Sequence, residues 1–274
     1  MRNRLLALTL LIVAACDATT PHAVDITTLP PLSGREMVLM TTAQTAAAQG
    51  DYVQAEKNYL SAVAESKGHV EAHLALAELY VKQNQSSKAR EILERAALYQ
   101  PDHVAVNYML GKIYLQENRP SDALQAFEHG LVTQPQSLDL LSGKGIAHDM
   151  LRQHAQAQVA YLRAISLNPT SDLALVRTNL AMSYLLDNKP EKAAELLKED
   201  VKKPGASPVT RHNLALAYGM LGRHSEAKKL LGKDMTEEQR QASLKRLAQY
   251  IARRDMSGKA VAAPVTPVLI KEAK

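Results

Sequence analysis

An alanine returns at Ala55, Ala89, Ala123, Ala157, Ala193 and Ala227, at intervals of 34, 34, 34, 36 and 34 residues. The recurrence carries a constant surround, seen most cleanly over residues 104–135, "VAVNYMLGKIYLQENRPSDALQAFEHGLVTQP". Apolar residues at helical spacing run to Leu115, Asn118-Arg119-Pro120 breaks the first helix, and a second apolar face follows through Ala123, Phe127 and Gly130. Small residues at Ala77, Gly111, Gly145, Ala181 and Ala215 let the two helices of a unit touch. Larger ones at Tyr59, Leu93, Phe127, Tyr161, Leu197 and Leu231 fill the gap to the neighbours. A unit of this kind cannot bury its own apolar face, so stability must come from stacking one unit on the next. A 4% aromatic content, with no Trp and one Phe, suits close helix contacts and argues against a large mixed α/β core.

A 34-residue helix–turn–helix period with this alternation of small and large residues resembles the tetratricopeptide repeat (TPR). The expected fold is all-α, a right-handed TPR solenoid of six repeats over residues 36–69, 70–103, 104–137, 138–173, 174–207 and 208–235. A charged helix over 236–254, opened by the capping-box form Thr236 to Gln239, is expected to close the array, so that it spans 34–254. Ser33 and Glu36 have the same form at its start, and Ser207-Pro208 reads as an N-cap followed by Pro at the first helical position. Pro120 and Pro190 are expected to begin second helices. Two extra residues enter at or near the join between repeats four and five. Residues 255–274 read as a disordered tail, within which 265–270 could dock as a short strand.

Ahead of the array, Arg2 and Arg4 precede an eleven-residue apolar run over 5–15, too short for the roughly 20 residues of a membrane span. This fits a secretory signal peptide over 1–15. It ends in Val13-Ala14-Ala15-Cys16, which resembles a bacterial lipobox and implies cleavage before Cys16 and lipidation of that residue. Cys16 is the sole cysteine, so a lipidated product would carry neither disulfides nor free thiols into an oxidising compartment. Residues 16–33, rich in Thr and Pro, read as a flexible tether. Cleavage removes two arginines and no acid, lowering the net charge from +5 to +3. No basic stripe interleaved with stacking aromatics points to nucleic acid. Asp17 follows the lipidated residue, a retention signal for the inner membrane in enteric bacteria. The expected address is nonetheless a lipid anchor facing the periplasm, with the outer membrane favoured over the inner.

Catalytic and metal patterns are weak. His69 and His73 are four apart, but the intervening Glu71 is misplaced for either zinc-protease motif, and no third ligand stands near. Ser225 and Lys228 match S-x-x-K, yet Ala227 between them is the repeat's own small residue, and the companion motifs are missing. Gly111-Lys112, Gly143-Lys144 and Gly232-Lys233 lack the flanks of a phosphate loop. No enzyme, metal, cofactor or small-molecule substrate is expected.

The TPR resemblance implies a protein-binding groove on the first helices, at unit positions two, five, nine and twelve. These map to Glu71, Leu74, Glu78 and Val81, then Ala105, Tyr108, Lys112 and Leu115. Repeat four adds Asp139, Ser142, Ile146 and Asp149, and repeat five adds Leu175, Thr178, Met182 and Leu185. The Lys/Asn/Arg set of the carboxylate-clamp repeats is missing, so the expected guest is an amphipathic helix or extended apolar segment. The stretch from His212 to Arg254 resembles the C-terminal end of the TadD family, through Asn213 to Tyr218, Gly222-Arg223 and Asp234 to Gln239. TadD proteins are TPR lipoproteins of the tight-adherence (Tad/Flp) pilus machine. The resemblance implies a pilotin-like scaffold whose groove engages the outer-membrane secretin or another pilus-assembly subunit. The alternative is a TPR lipoprotein of another envelope system, either a type IV pilus pilotin or an adaptor for peptidoglycan enzymes.

Overall fold

A computed structural model describes residues 32–66, 68–168 and 173–231. The leader and Cys16, most of the tether, the 236–254 helix and the tail lie outside the described residues. Within them the chain forms twelve α-helices and no strand. They come in pairs: α1 (Gly34–Ala48) with α2 (Tyr52–Glu65), α3 (Glu71–Lys82) with α4 (Ser86–Tyr99), and α5 (Val104–Gln116) with α6 (Pro120–Thr133). Then follow α7 (Leu138–Met150) with α8 (His154–Leu167), α9 (Ala174–Leu186) with α10 (Pro190–Leu197), and α11 (Pro208–Met220) with α12 (His224–Leu231). The fold is a TPR solenoid.

The turn inside each pair is built the same way six times. Gly50, Asn84, Asn118, Arg152, Asn188 and Gly222 each have positive φ, and each stands five residues before the anchoring alanine. The next amide donates back to the carbonyl five residues earlier, as in Arg119 N to Tyr114 O and Gln153 N to His148 O, both 2.8 Å. This is a Schellman closure, which satisfies carbonyls at the helix end and needs a left-handed residue to do so. Glycine and asparagine take that conformation at little cost, so Arg152 is the odd member.

Helix starts are similarly local. Ser207 Oγ accepts from the Thr210 amide at 3.0 Å, with Pro208 at the first helical position. Pro120 and Pro190 begin α6 and α10, where a missing N–H leaves nothing unsatisfied. Ser33 Oγ accepts from the Glu36 amide at 3.0 Å. The box is only half made, because the Glu36 carboxyl is buried with Oε1 unpartnered, and burial raises its pKa. The two extra residues fall between α8, which ends at Leu167, and α9, which begins at Ala174, whereas α6 ends at Thr133 and α7 begins at Leu138. The helix α10 stops early at Leu197 and gives way to a 3-10 turn, Asp200–Lys202. There the buried Asp200 takes two hydrogen bonds from Arg177, at 2.5 and 3.0 Å, and one from Lys203.

Packing follows the small-and-large alternation. The anchoring alanines and all six large residues, Tyr59 to Leu231, are buried. Phe127, on α6, is wedged between two glycines: a Cβ at Gly111 of α5 or Gly143 of α7 would come closer than 3.0 Å to its ring. Gly145 gives the same room to Tyr161. Gly143 is an addition to the sequence pattern, which named Gly145 as the small residue of repeat four. First helices also touch their successors, α5 with α7, α7 with α9 and α9 with α11, whereas no two second helices pack comparably among the described residues. The closer spacing of first helices makes their side the concave one.

Candidate functional site

On the concave side, repeats two and three offer open surface. On α3 the side chain of Glu78 is exposed, while Leu74 and Val81 are half-buried. On α5, Tyr108 and Lys112 are half-buried one helical turn apart, and the ammonium of Lys112 lies 5.3 Å from the centre of the Tyr108 ring. That cation–π contact holds both groups upright on the surface. Apolar stems beside one acid and one base make a face suited to side-chain recognition of a helix or extended segment.

The same register closes in the next two repeats. Ile146 is 1% exposed, Met182 4% and Leu185 0%. They pack in the chain's own core, Ile146 with Phe127 and Leu140, and Met182 and Leu185 with Leu197 and Leu214. Leu115 is 5% exposed and joins the Ile146 cluster. Asp149 is also buried, and its carboxylate is fully engaged. It accepts from Ser183 Oγ at 2.7 Å and from the Tyr161 hydroxyl at 3.3 Å, and Oδ1 lies 2.8 Å from His154 Nδ1. Burial raises the Asp149 pKa, against the pull of His154 and the hydroxyls, and drives that of Tyr161 well above its ordinary value. The groove expected from the sequence is therefore corrected at Leu115, Ile146, Asp149, Met182 and Leu185, which are internal packing or polar bracing rather than open lining. Thr178 is likewise buried, sharing a 2.9 Å hydrogen bond with Thr210 across α9 and α11.

Four expected groove residues do converge. Tyr108, Lys112, Leu115 and Ile146 surround a cavity of about 30 Å³ between α5 and α7, whose floor is Phe127 and Gly143. It has room for about one water molecule, so it is a dimple in the concave face rather than a small-molecule site.

The other candidates resolve simply. His73 is buried edge-on to Tyr99, 5.8 Å between ring centres, and burial together with the charge of Arg95 lowers its pKa. Among the described residues no group of three or more His, Cys, Asp or Glu could hold a metal ion. Ser225 and Lys228 are exposed on the first turns of α12, with Ala227 buried between them. No described helix is long and apolar enough to cross a membrane.

Sequence reasoning missed one feature. A cavity of about 370 Å³ opens on the opposite side, lined by α6, α7 and α8 through Leu131, Leu141, Lys144, His148, Val159 and Arg163 among others. The available signal was a break in the repeat pattern: Tyr80, Tyr114, Tyr184 and Tyr218 share one register, in which repeat four has His148.

Comparison with known proteins agrees with this architecture. A tetratricopeptide repeat profile matches residues 46–113 and 88–144, and a second matches 208–232. No curated protein sequence matches the chain. Among solved structures, a tetratricopeptide repeat protein from Parabacteroides merdae aligns with a TM-score of 0.67 at 15% identity, over 81% of this chain and 90% of that one. PilW, described as a widely conserved type IV pilus biogenesis factor, aligns with a TM-score of 0.63 at 21% identity, over 77% of this chain and 99% of its own. MamA from Desulfovibrio magneticus RS-1 aligns with a TM-score of 0.55 at 16% identity, over 61% and 94%. At these identities the likeness is one of fold.

Proposed function

Because the chain is a tetratricopeptide repeat protein, we propose that it is a scaffold for protein–protein interaction, held on the cell envelope by lipid at Cys16 and serving assembly of a Tad/Flp pilus. The observation that carries the binding role is the concave face of α3 and α5, where Glu78 is exposed and Leu74, Val81, Tyr108 and Lys112 are half-buried at the edge of the core. The pilus assignment draws on the lipobox ending at Cys16 and on the TadD-like stretch from His212. That PilW, a type IV pilus biogenesis factor, has the same fold is compatible with it. In this role the lipid keeps the scaffold at the periplasmic face of a membrane, and the groove holds the secretin or another assembly subunit during insertion. No catalytic residue is assigned.

Deleting the gene tests the pilus role: secretin multimers and surface pili should both fall. Normal levels of each, with a murein hydrolase or synthase co-purifying instead, would transfer the scaffold to the alternative envelope system. Cys16→Ser should move the protein from the membrane to the soluble fraction. The groove is tested by Glu78→Lys combined with Lys112→Glu, which should weaken secretin capture at least tenfold, about 1.4 kcal/mol. Stability should change by less than about 0.5 kcal/mol for each surface site.

A further inference from the structure

The large cavity has a cause in the repeat register. In repeats two, three, five and six, a tyrosine late in the first helix fills the valley left by the preceding second helix. The hydroxyls of Tyr80 and Tyr114 donate to Glu56 and Glu94 on that preceding helix, at 2.8 and 2.9 Å. A cation from the turn or helix that follows covers each ring: Lys88 over Tyr80, Arg119 over Tyr114, Lys192 over Tyr184 and Arg223 over Tyr218, at 4.1 to 5.6 Å. In repeat four the tyrosine is His148, which turns to Gln153 at 2.7 Å. One turn earlier, where the other four repeats have Leu76, Leu110, Leu180 and Leu214, repeat four has Lys144. Two large apolar side chains are thus missing from one valley, and the cavity of about 370 Å³ stands in their place.

What remains is an apolar slot with a basic rim. Leu131, Leu141, Val159 and Ala160 form its walls, and Val159 is 66% exposed. Lys144 Nζ bonds Glu128 at 2.7 Å, the carboxylate in register with the Glu94 that accepts from Tyr114. Arg163 donates to the Pro135 carbonyl at 3.2 Å and, with five N–H groups, keeps donors to spare. Against one acid, the two cations leave the rim with a net positive charge.

We propose that this valley is a second docking site, which takes an aromatic side chain of a protein partner followed by an acidic residue. The ring enters where the other repeats supply their own tyrosine, a phenolic hydroxyl finds the Glu128 carboxylate, and the acidic group pairs with Arg163. On α7 the lining residues Leu141, Lys144 and His148 lie nearly half a turn from the concave positions Ser142 and Ile146. Occupation of the valley therefore leaves the groove of α3 and α5 free, and one scaffold can hold two partners at once.

The test uses the full mature chain, labelled at its methyl groups, and the N-acetylated dipeptide tyrosyl-aspartate as probe. Methyl resonances of Leu131, Leu141 and Val159 should shift and saturate, with binding at least about tenfold weaker for alanyl-aspartate and for tyrosyl-lysine. His148→Tyr restores the register of Tyr114 and Tyr184, so it should fill the slot, abolish probe binding and raise the melting temperature. Should that variant fail to fold, Val159→Glu at the exposed rim serves instead and should also abolish binding. The proposal is overturned if tyrosyl-aspartate causes no shift, binds no better than alanyl-aspartate, still binds a folded variant, or moves the methyl resonances of Leu74 and Val81 in the groove rather than those in the valley.

Discussion

Repeats two and three differ from repeats four and five in what they do with the same register of the first helix. In repeats two and three Glu78 is exposed and Leu74, Val81, Tyr108 and Lys112 are half-buried, with mixed chemistry, while Leu115 alone closes into the core. At Ile146, Asp149, Met182 and Leu185 it is buried. In the later repeats polar side chains tie successive first helices together, Asp149 to Ser183 between α7 and α9 and Thr178 to Thr210 between α9 and α11. One skeleton thus supplies display in its first half and bracing in its second. A groove derived by applying one positional rule to every repeat will overstate the open surface.

Phe127 stands at the boundary of the two regions, between Gly111 of repeat three and Gly143 of repeat four. Replacing it by alanine removes a fully buried ring that both repeats close upon. The expected loss is about 3–5 kcal/mol in chemical denaturation. Gly143→Ala should cost about 1–3 kcal/mol, because the added methyl meets the ring, and Phe127→Leu in the same chain should recover part of that loss. If Gly143→Ala were neutral, the two halves would not share the ring.

Asp149 tests the bracing half. Alanine there strips the partner from the buried Tyr161 hydroxyl and leaves the Ser183 hydroxyl only the His154 carbonyl, at 3.4 Å. The cost of leaving such groups unpaired is about 1–3 kcal/mol. Glu78→Ala, in the display half, should stay within about 0.5 kcal/mol. Equal losses from the two variants in thermal melts would erase the difference between display and bracing.

The skeleton was legible in the sequence because it depends on short-range, repeated chemistry. Ala123, Gly111 and Phe127 recur at fixed offsets, and helix period and turn residues then dictate the pairing. The prolines and Ser207 marked helix starts for the same reason. The groove was only half legible, since exposure at Ile146 or Met182 depends on how neighbouring first helices close over it, which no residue records about itself. Asp149 misled because a charged residue at a groove position looks like lining. Its buried partner Ser183 lies 34 residues away. The valley was legible in principle: His148 and Lys144 both break a register of tyrosines and leucines, but a cavity arises from side chains that a sequence does not contain.

A smaller, pH-dependent contrast exists within the display half. Burial, reinforced by Arg95 and opposed by Glu71, lowers the pKa of His73 below its ordinary 6.5. The unfolded chain therefore takes up a proton at a pH where the folded chain does not. Stability from this residue is complete above pH 6.5 and is lost as pH falls toward the folded value. Glu36 runs the other way: its raised pKa gives stability present below 4.5 and lost as pH rises through the folded value. His73→Leu installs the residue that repeat four carries in that register, Leu141. Melting temperatures followed between about pH 7 and about pH 5 should fall less for this variant than for the wild type. An identical decline in both would mean that His73 is not the titrating group.

The smallest effect concerns the turn of repeat four. Five of the six turns place glycine or asparagine at the left-handed position, and the sixth places Arg152 at φ 62°. A side chain there brings Cβ toward the following carbonyl, at a cost of roughly 1–2 kcal/mol that asparagine partly escapes by local hydrogen bonding. Arg152 is exposed, so its replacement disturbs no core packing. Arg152→Asn should therefore stabilise the chain by about 0.5–1 kcal/mol, while Asn118→Arg, the mirror change in repeat three, should destabilise it by a similar amount. A pair of shifts with the same sign would show that these two turns, despite their common hydrogen bonds, are not equivalent in energy.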